Sequence, residues 1–295
     1  MTSVETDAGE EASRQMPAAG EVVRLSARVR RITQDNPSIF TGVGTNTHLV
    51  GEREIFILDP GPDGDDHFDN LVDAVGAAKV LAVIPTHHHQ DHWPLAPRLA
   101  EHYGAPTLGF ADCGDYRPQK KVRDAELLHA DGVTLEAIHT PGHAEDHISY
   151  LLREESTLLS GDHVMGWSTS VIAPPGGSLN DYLASLDKLR SFSFARMYPA
   201  HGLPIDNPLE RIDELYNHRV ERTRQAIEAL ETGLDRIPEM VSHIYADVDK
   251  KLHTAAGWSL LAHLQALVED GRVRVGEESE APLDVRYELV RRGGR

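Results

Sequence analysis

The sequence predicts an α/β protein in two parts, a large mixed-sheet domain followed by a small helical domain. Short runs rich in β-branched and apolar residues alternate with turns and short helical segments through the first part. One such run, residues 80–84, leads directly into a cluster of histidines at residues 87–92. After Pro208 the pattern changes to long helical periods. We therefore assign residues 21–208 to one domain and residues 209–295 to another.

The first domain is predicted from strand and helix patterns taken in chain order. The predicted elements are strands at 22–29, 48–50 and 54–58, a helix near 68–75, the strand before the histidines, a helix at 93–102, and strands at 107–110 and 133–139. Ser178 is a typical N-cap residue, with Asp181 in the position of a capping box, so a helix is expected from there to Leu189. The order of these elements is that of a mixed α/β layout.

The second domain is predicted to contain three helices and a hairpin. Helices are expected at residues 209–230, 237–245 and 258–268, where apolar residues recur among charges at helical spacing. Two short β-rich runs follow at 271–275 and 285–289 and can pair with each other. Three helices followed by a hairpin indicate a small winged-helix domain.

Composition sets limits on the class of protein. The 295 residues include one cysteine, Cys113, which excludes an intramolecular disulfide and suits a reducing compartment. The chain contains no run of about 18 apolar residues that could span a bilayer, and residues 1–20 are an acidic stretch expected to be disordered. These features predict a cytoplasmic protein without a membrane partner.

The histidine cluster is the feature with the most chemical meaning. In an extended segment, residues two apart leave the chain on the same side, so His87 and His89 can bind one ion. Asp91 and His92 follow at once and can bind a second ion. Imidazole and carboxylate ligands of this kind leave a position open for water, unlike a closed structural zinc site. The alternative is a solvated histidine-rich loop.

Three later residues favour the metal site over a solvated loop. His143 follows the turn Thr-Pro-Gly, Asp162 follows a strand-like run and Ser-Gly, and His201 lies in a Pro-Ala-His-Gly turn. Each of these residues lies where a strand is expected to end. Singly each is weak evidence, because a polar side chain in such a turn is more often a hydrogen-bonded structural group.

The order of these motifs resembles the metallo-β-lactamase superfamily of binuclear hydrolases. The resemblance extends over about residues 22–204. It implies an αββα sandwich with two Zn2+ per chain, for which iron or manganese are alternatives. It also implies a ligand set: His87, His89 and His143 for the first metal, Asp91, His92 and His201 for the second, and Asp162 as a bridge between them.

The ligand set leads to a hypothesis about the reaction. Two adjacent ions lower the pKa of a shared water towards neutrality and supply hydroxide as the nucleophile. We expect Asp91 and Asp162 to act in catalysis, Asp91 by orienting that water. The leading hypothesis is a zinc-dependent hydrolase that attacks an ester, thioester or lactone carbonyl of a small-molecule substrate. A dedicated β-lactamase is disfavoured, because members of that kind usually have cysteine or a non-ligand where Asp162 stands.

Two other functions stay open. A winged-helix tail resembles one branch of the superfamily that includes an endoribonuclease, so cleavage of single-stranded RNA is the alternative. The net charge of −18 argues against nucleic acid without excluding it, and residues 271–295 hold six arginines against five acidic residues. We interpret the tail as a lid or a dimerisation element, which leaves a homodimer open. The third hypothesis is a non-catalytic or redox scaffold that binds iron.

Some neighbouring histidines are assigned no direct role. His88 is expected to point away from His87 and His89. His147 and His163 are interpreted as residues that hydrogen-bond a ligand or line the pocket. Asn46 is expected to position a ligand loop or to contact substrate.

Overall fold

The computed structural model describes residues 18–290. The tail predicted for residues 1–20 therefore lies almost wholly outside the described residues. The remaining chain contains two five-stranded sheets and a C-terminal helical part.

The first sheet is built from the five strands nearest the N-terminus, in chain order. They are β1 (Val22–Arg24), β2 (Val29–Thr33), β3 (Asn46–Gly51), β4 (Glu54–Leu58) and β5 (Lys79–Ile84). The first four strands pair antiparallel, whereas β5 pairs parallel to β4 because helix α1 (Asp65–Val75) connects them. The carboxyl ends of β4 and β5 therefore meet at one edge of the sheet.

The second sheet repeats this arrangement later in the chain. Helix α2 (Ala96–Tyr103) and the short pair β6 (Leu108–Gly109) and β7 (Lys120–Lys121) precede it. Its strands are β8 (Leu127–Ala130), β9 (Val133–His139), β10 (Ile148–Leu152), β11 (Thr157–Gly161) and β12 (Arg196–Pro199), in the spatial order β12-β11-β10-β9-β8. Only β12 pairs parallel to its neighbour, since helix α3 (Leu179–Arg190) connects it to β11.

The C-terminal part contains three helices and a hairpin, as predicted. Its elements are α4 (Pro208–Glu231), α5 (Ile237–Ile244), α6 (His253–Glu269), β13 (Val273–Glu277) and β14 (Arg286–Leu289), and the last two pair antiparallel. Pro208 occupies the first turn of α4, where its missing N–H is no loss. No helix within residues 18–290 is long and apolar enough to cross a membrane.

The two sheets and the helices form four layers. Apolar side chains of both sheets, such as Phe56 and Tyr150, fill one core between them. The outer face of the first sheet packs on α1 and α2, and that of the second sheet packs on α3, α4 and α6. A separate core joins the C-terminal half of α4 to α5, α6 and the hairpin. The α-β-β-α layers and the winged helix confirm the predicted fold, and α4 contributes to two cores.

Several element predictions were wrong in extent, such as the helix expected from residue 258, which begins at His253. Two others differ because of local turns. The single strand expected at residues 22–29 is instead two strands of a hairpin, since the Ser26 hydroxyl accepts hydrogen bonds from the backbone N–H groups of Arg28 and Val29 and turns the chain. The helix expected from residue 93 begins at Ala96. In both places a local turn interrupts a pattern that, in sequence, looks continuous.

Candidate metal centre

The histidine cluster occupies the loop that follows β5, and a buried aspartate fixes this loop. Asp59, which follows β4, accepts hydrogen bonds from the Thr86 backbone N–H at 2.7 Å and from the Thr86 hydroxyl at 2.9 Å. Because β4 and β5 are parallel, their carboxyl ends bring Asp59 beside the cluster. Neither Asp59 nor Thr86 was assigned a role from the sequence. The only signal was the Leu-Asp-Pro-Gly turn, whose aspartate has a positive φ of 50°.

The first group of candidate ligands consists of three imidazoles. His87 Nε2 lies 2.8 Å from His89 Nδ1, and His143 Nε2 lies 3.2 Å from the former and 2.9 Å from the latter. His143 Nδ1 donates to the Val171 carbonyl at 2.5 Å, which leaves its Nε2 lone pair facing the other two rings. Three convergent imidazole nitrogens are a donor set that suits a metal ion.

Burial keeps the three rings of this group without a proton charge. It lowers the pKa of His89 to about 3 and that of His87 well below its usual range, and the neighbouring histidines add to both effects. Burial also lowers the pKa of His143, against the opposing charge of Asp162. Neutral imidazole is the form that binds metals, so the rings are in the state that a ligand requires.

The second group consists of two imidazoles and two carboxylates. His201 Nε2 lies 3.3 Å from Asp91 Oδ2 and 3.3 Å from Asp162 Oδ1, and His92 Nε2 lies 3.6 Å from each of these two carboxylates. Within residues 18–290, both ring nitrogens of His92, Nε2 of His201 and Oδ1 of Asp162 are buried without a hydrogen-bond partner. Buried polar atoms are rarely left unpaired, so this group has the property expected of ligands to a cation.

In the second group, the carboxylates and imidazoles shift each other's pKa values towards the charged forms. Burial alone would raise the pKa of Asp162, but the charges of His201 and His92 hold it well below its usual range. In turn, Asp162 and Asp91 raise the pKa of His201 to about 9 against the effect of burial. The carboxylates are therefore ionised, and the imidazole protons occupy places that a metal ion would take.

Asp162 lies between the two groups. Its Oδ2 is 3.7 Å from His143 Nε2 and 3.6 Å from His92 Nε2, while its Oδ1 faces His201. The structure thus brings together all seven predicted site residues: His87, His89, Asp91, His92, His143, Asp162 and His201. The resulting clusters of histidine and aspartate are able to bind a metal ion.

Several residues hold these side chains in position. His147 Nε2 accepts a hydrogen bond from the Asp162 backbone N–H at 3.2 Å, and its Nδ1 lies 2.8 Å from the Thr140 hydroxyl. Asn46 donates to the carbonyls of Pro199 and Gly202 at 3.1 and 2.9 Å, on either side of His201. Asn46 thus holds the loop that carries His201.

His88 faces away from both groups. Its Nδ1 lies 2.7 Å from Asp146 Oδ1, in a cluster with Cys113. The Cys113 thiol donates to Glu145 at 3.2 Å, and burial raises the pKa of this thiol to about 12. The direction of His88 matches the expectation from strand-like alternation.

A cavity of about 1490 Å³ opens over the candidate ligands. Its lining includes His89, Asp91, His143 and Asp162, together with residues of α4 and α6 and of the segment between α5 and α6. A cavity of this size is large enough to hold a small molecule beside the candidate ligands. The C-terminal helices therefore complete the pocket.

Known proteins share both parts of this chain, the two-sheet domain and the winged helix. Residues 40–201 match the metallo-beta-lactamase superfamily and residues 237–280 match the beta-lactamase associated winged helix domain. An atrochrysone carboxyl ACP thioesterase of Aspergillus chevalieri is 32% identical over 80% of this chain and 80% of its own. The lactamase-like protein adaB of Aspergillus niger is 31% identical over 92% of this chain and 90% of its own.

Solved structures share the fold. A beta-lactamase domain protein from Burkholderia ambifaria superimposes with a TM-score of 0.78 at 20% identity, over 94% of this chain and 95% of that one. A metallo-beta-lactamase family protein from Thermus thermophilus gives 0.74 at 23% identity, over 90% and 100%. Fold, ligand clusters and sequence matches lead to one conclusion: the chain belongs to the metallo-β-lactamase superfamily of hydrolases, in the branch with a C-terminal winged-helix domain.

Proposed function

We propose that this protein is a binuclear, zinc-dependent hydrolase of carbonyl substrates, with thioesters as the first choice and esters and lactones as close alternatives. The observation that carries the proposal is the position of Asp162 between two adjacent ligand groups on the floor of a large cavity. A carboxylate that lies within 4 Å of histidines of both groups is suited to bridge two ions.

The residues present fit two metal ions. His87, His89 and His143 would hold the first, Asp91, His92 and His201 the second, with Asp162 between them. Imidazole and carboxylate donors favour zinc and also accept iron or manganese. When bound, the pair of ions would activate a water and polarise the carbonyl of the substrate.

The protein itself contributes orientation and charge. The Asp91 side chain is partly exposed to the cavity, with 28% of its surface accessible, and its carboxylate faces His201. It is placed to accept a proton or a hydrogen bond from a reacting water in the cavity. Asp162 is held by its backbone N–H on His147, which fixes its carboxylate between the groups.

The surface of the winged-helix part favours a carbonyl substrate over RNA. Arginines on the hairpin are engaged with acids: Arg274 with Glu288 at 2.7 Å and Arg286 with Asp235 at 2.6 Å. Paired arginines neutralise few phosphates, and phosphate neutralisation dominates affinity for nucleic acid. The thioesterase named among the relatives supports thioesters as the first substrates to assay.

The proposal is tested by assaying metal-quantified protein on a panel of acyl thioesters, esters and lactones beside a labelled single-stranded RNA, with and without chelator. We expect chelator-sensitive thioester cleavage, no RNA cleavage, and loss of activity in Asp162→Asn. The exposed Asp115→Asn is the matched control and is expected to retain activity. Chelator-sensitive RNA cleavage that depends on Asp162 would replace the proposal with the endoribonuclease. Thioester cleavage unaffected by metal removal would contradict it outright.

A further inference from the structure

The part of the cavity lining formed by α4 carries two arginines. Arg219 and Arg222 lie on α4 with His218, and all three line the cavity. Residues three and four apart on a helix lie side by side, so Arg222 is a neighbour of both His218 and Arg219. The same cavity continues to Asp162, and one molecule can therefore contact the arginines and the ligand groups together.

Neither arginine has an acidic partner among residues 18–290. Arg219, with only 2% of its surface exposed, donates to the Ser170 carbonyl. Arg222 donates to the Gln225 side chain at 2.8 Å and to the Ile244 carbonyl at 3.4 Å. Nε of both arginines is buried and makes no hydrogen bond in the part of the chain that the structure describes. Each guanidinium group therefore has a hydrogen-bond donor that the described residues do not use.

The lack of a counter-ion is specific to this face of α4. On the exposed face, Arg224 pairs with Glu221 and Glu228. The cavity-facing arginines instead lie over aromatic rings, Arg219 at 5.2 Å from the Tyr182 ring and Arg222 at 4.5 Å from the Tyr245 ring. Rings of this kind hold a guanidinium in place without neutralising its charge. Burying a charge without a partner is costly, which points to a partner from outside residues 18–290.

The positive charges of Arg219 and Arg222 lower the pKa values of two neighbouring histidines. Burial, and then the charges of Arg219 and Arg222, lower the pKa of His218 to about 3. The same causes lower the pKa of His263, whose ring lies 2.8 Å from the Thr223 hydroxyl. The α4 side of the cavity is therefore positive through Arg219 and Arg222, with His218 neutral.

We infer that Arg219 and Arg222 form an oxyanion subsite that binds a carboxylate or phosphate on a part of the substrate that does not react. The guanidinium fork matches both groups in shape and charge. The inference rests on the proposed function for the position of the carbonyl. Two sources of the anion share this chemistry: an acidic group on the acyl part, or a phosphate on the arm of a thiol carrier.

The test compares charged substrates with neutral isosteres. The acyl arm uses adipoyl, suberoyl and sebacoyl thioesters of N-acetylcysteamine, each beside its ω-carboxamide. The carrier arm uses hexanoyl phosphopantetheine beside hexanoyl pantetheine. We expect kcat/KM to be about tenfold or more higher for the charged member of one arm, as expected for one charge-assisted hydrogen bond of about 1.4 kcal/mol. The change is expected in KM, because the subsite contacts a part of the substrate that does not react.

Variants of the arginines test whether they cause the preference for the charged substrate. Arg222→Gln is expected to remove the preference for the charged substrate, and Arg222→Lys to keep part of it. Arg224→Gln, on the exposed face, is the matched control and is expected to leave the preference intact. Arg219→Gln removes a buried group, so its folding is checked by thermal unfolding and the conclusion rests on Arg222. A preference equal in wild type and Arg222→Gln, or none in either arm, overturns the inference.

A binding measurement separates this inference from the proposed function. Calorimetry with metal-free protein uses the ketone analogue of the suberoyl thioester, in which a methylene replaces the sulfur, beside its ω-carboxamide. Tighter binding of the acid, lost in Arg222→Gln, supports the subsite even for a protein that cleaves no thioester. Thioester cleavage with equal binding of acid and amide supports the hydrolase and contradicts the subsite.

Discussion

At the scale of single residues, the candidate centre depends on side chains that are buried and incompletely hydrogen-bonded. His92, Asp162 and His201 each have a buried atom without a partner in residues 18–290. In a protein that binds no cation at this place, such atoms would cost free energy and gain nothing. These unpaired atoms support the assignment of the three residues as metal ligands. Each assignment can be tested by substituting one residue at a time.

The first prediction concerns His89 and its neighbour His88. His89→Ala removes one of three convergent imidazoles, so bound metal and hydrolysis should fall together. His88→Ala removes a ring that faces Asp146 instead, so metal content should stay unchanged. Metal analysis of both purified variants checks this. Normal metal and activity in His89→Ala, or an ion lost from His88→Ala, would mean that the ligand register is wrong.

The second prediction concerns pH and a buried histidine away from the ligands. Burial, and then the charge of Arg31, lower the pKa of His48 to about 3 from 6.5. Between these values the unfolded chain binds a proton at His48 and the folded chain does not, so stability falls as pH falls. His48→Phe keeps a ring against Tyr198 and should flatten the slope by about 1.4 kcal/mol per pH unit in this window.

Chemical unfolding of wild type and His48→Phe at several pH values, with equal metal loading, measures this slope. Equal slopes in the two proteins would contradict the neutral, buried state of His48. A steeper slope in the variant would contradict the sign of the effect.

At the scale of elements, the site is built by the ends of strands and the turns that follow them. The turn after β9 brings His143 to the centre through Gly142, whose φ is +133°. A methyl group on Gly142 would meet the Tyr182 backbone on α3 at 2.3 Å. The Gly142 carbonyl also accepts a hydrogen bond from the backbone N–H of Ser178, the N-cap of α3, at 2.8 Å. The turn that carries His143 therefore packs closely on the N-terminus of α3 and is hydrogen-bonded to it.

The third prediction tests this contact. Gly142→Ala should destabilise the protein by about 3 kcal/mol through overlap and backbone strain, and should weaken metal binding by displacing His143. Gly104→Ala is the matched control, since Gly104 has a φ of +61° and nothing within 4 Å of an added methyl. It should cost only about 1 kcal/mol and leave metal binding intact. Equal effects of the two changes in denaturant unfolding would exclude steric overlap as the cause.

The sequence predicted strands and helices best where one pattern continued to a clear turn. Strand β9 and the cap of α3 were found in place, because alternation and a serine cap leave strong local signals. The hairpin of β1 and β2 was missed, since a turn held by one serine hydroxyl interrupts an otherwise uniform β-rich run. Asp59 was missed as a support because its partner, Thr86, is distant in sequence and adjacent only through parallel strand pairing.

At the scale of the whole molecule, the C-terminal part is a wall of the candidate site. Residues of α4 and α6 close the cavity over Asp162, while the N-terminal half of α4 packs on the second sheet. The sequence predicted three helices and a hairpin, but their placement over the pocket depends on contacts between the parts, which no local pattern encodes. For the same reason the sequence predicted no role for the arginine pair of α4.

The central claim is that two adjacent ligand groups bind two ions on which hydrolysis depends. The most direct measurement is a zinc titration of metal-free protein, with thioester hydrolysis and bound metal recorded at each step, for wild type and Asp162→Asn. We predict that wild type binds two equivalents per chain and gains full activity with the second, and that Asp162→Asn binds fewer and stays inactive. Full activity without metal, or two tightly bound equivalents with full activity in Asp162→Asn, would contradict the account.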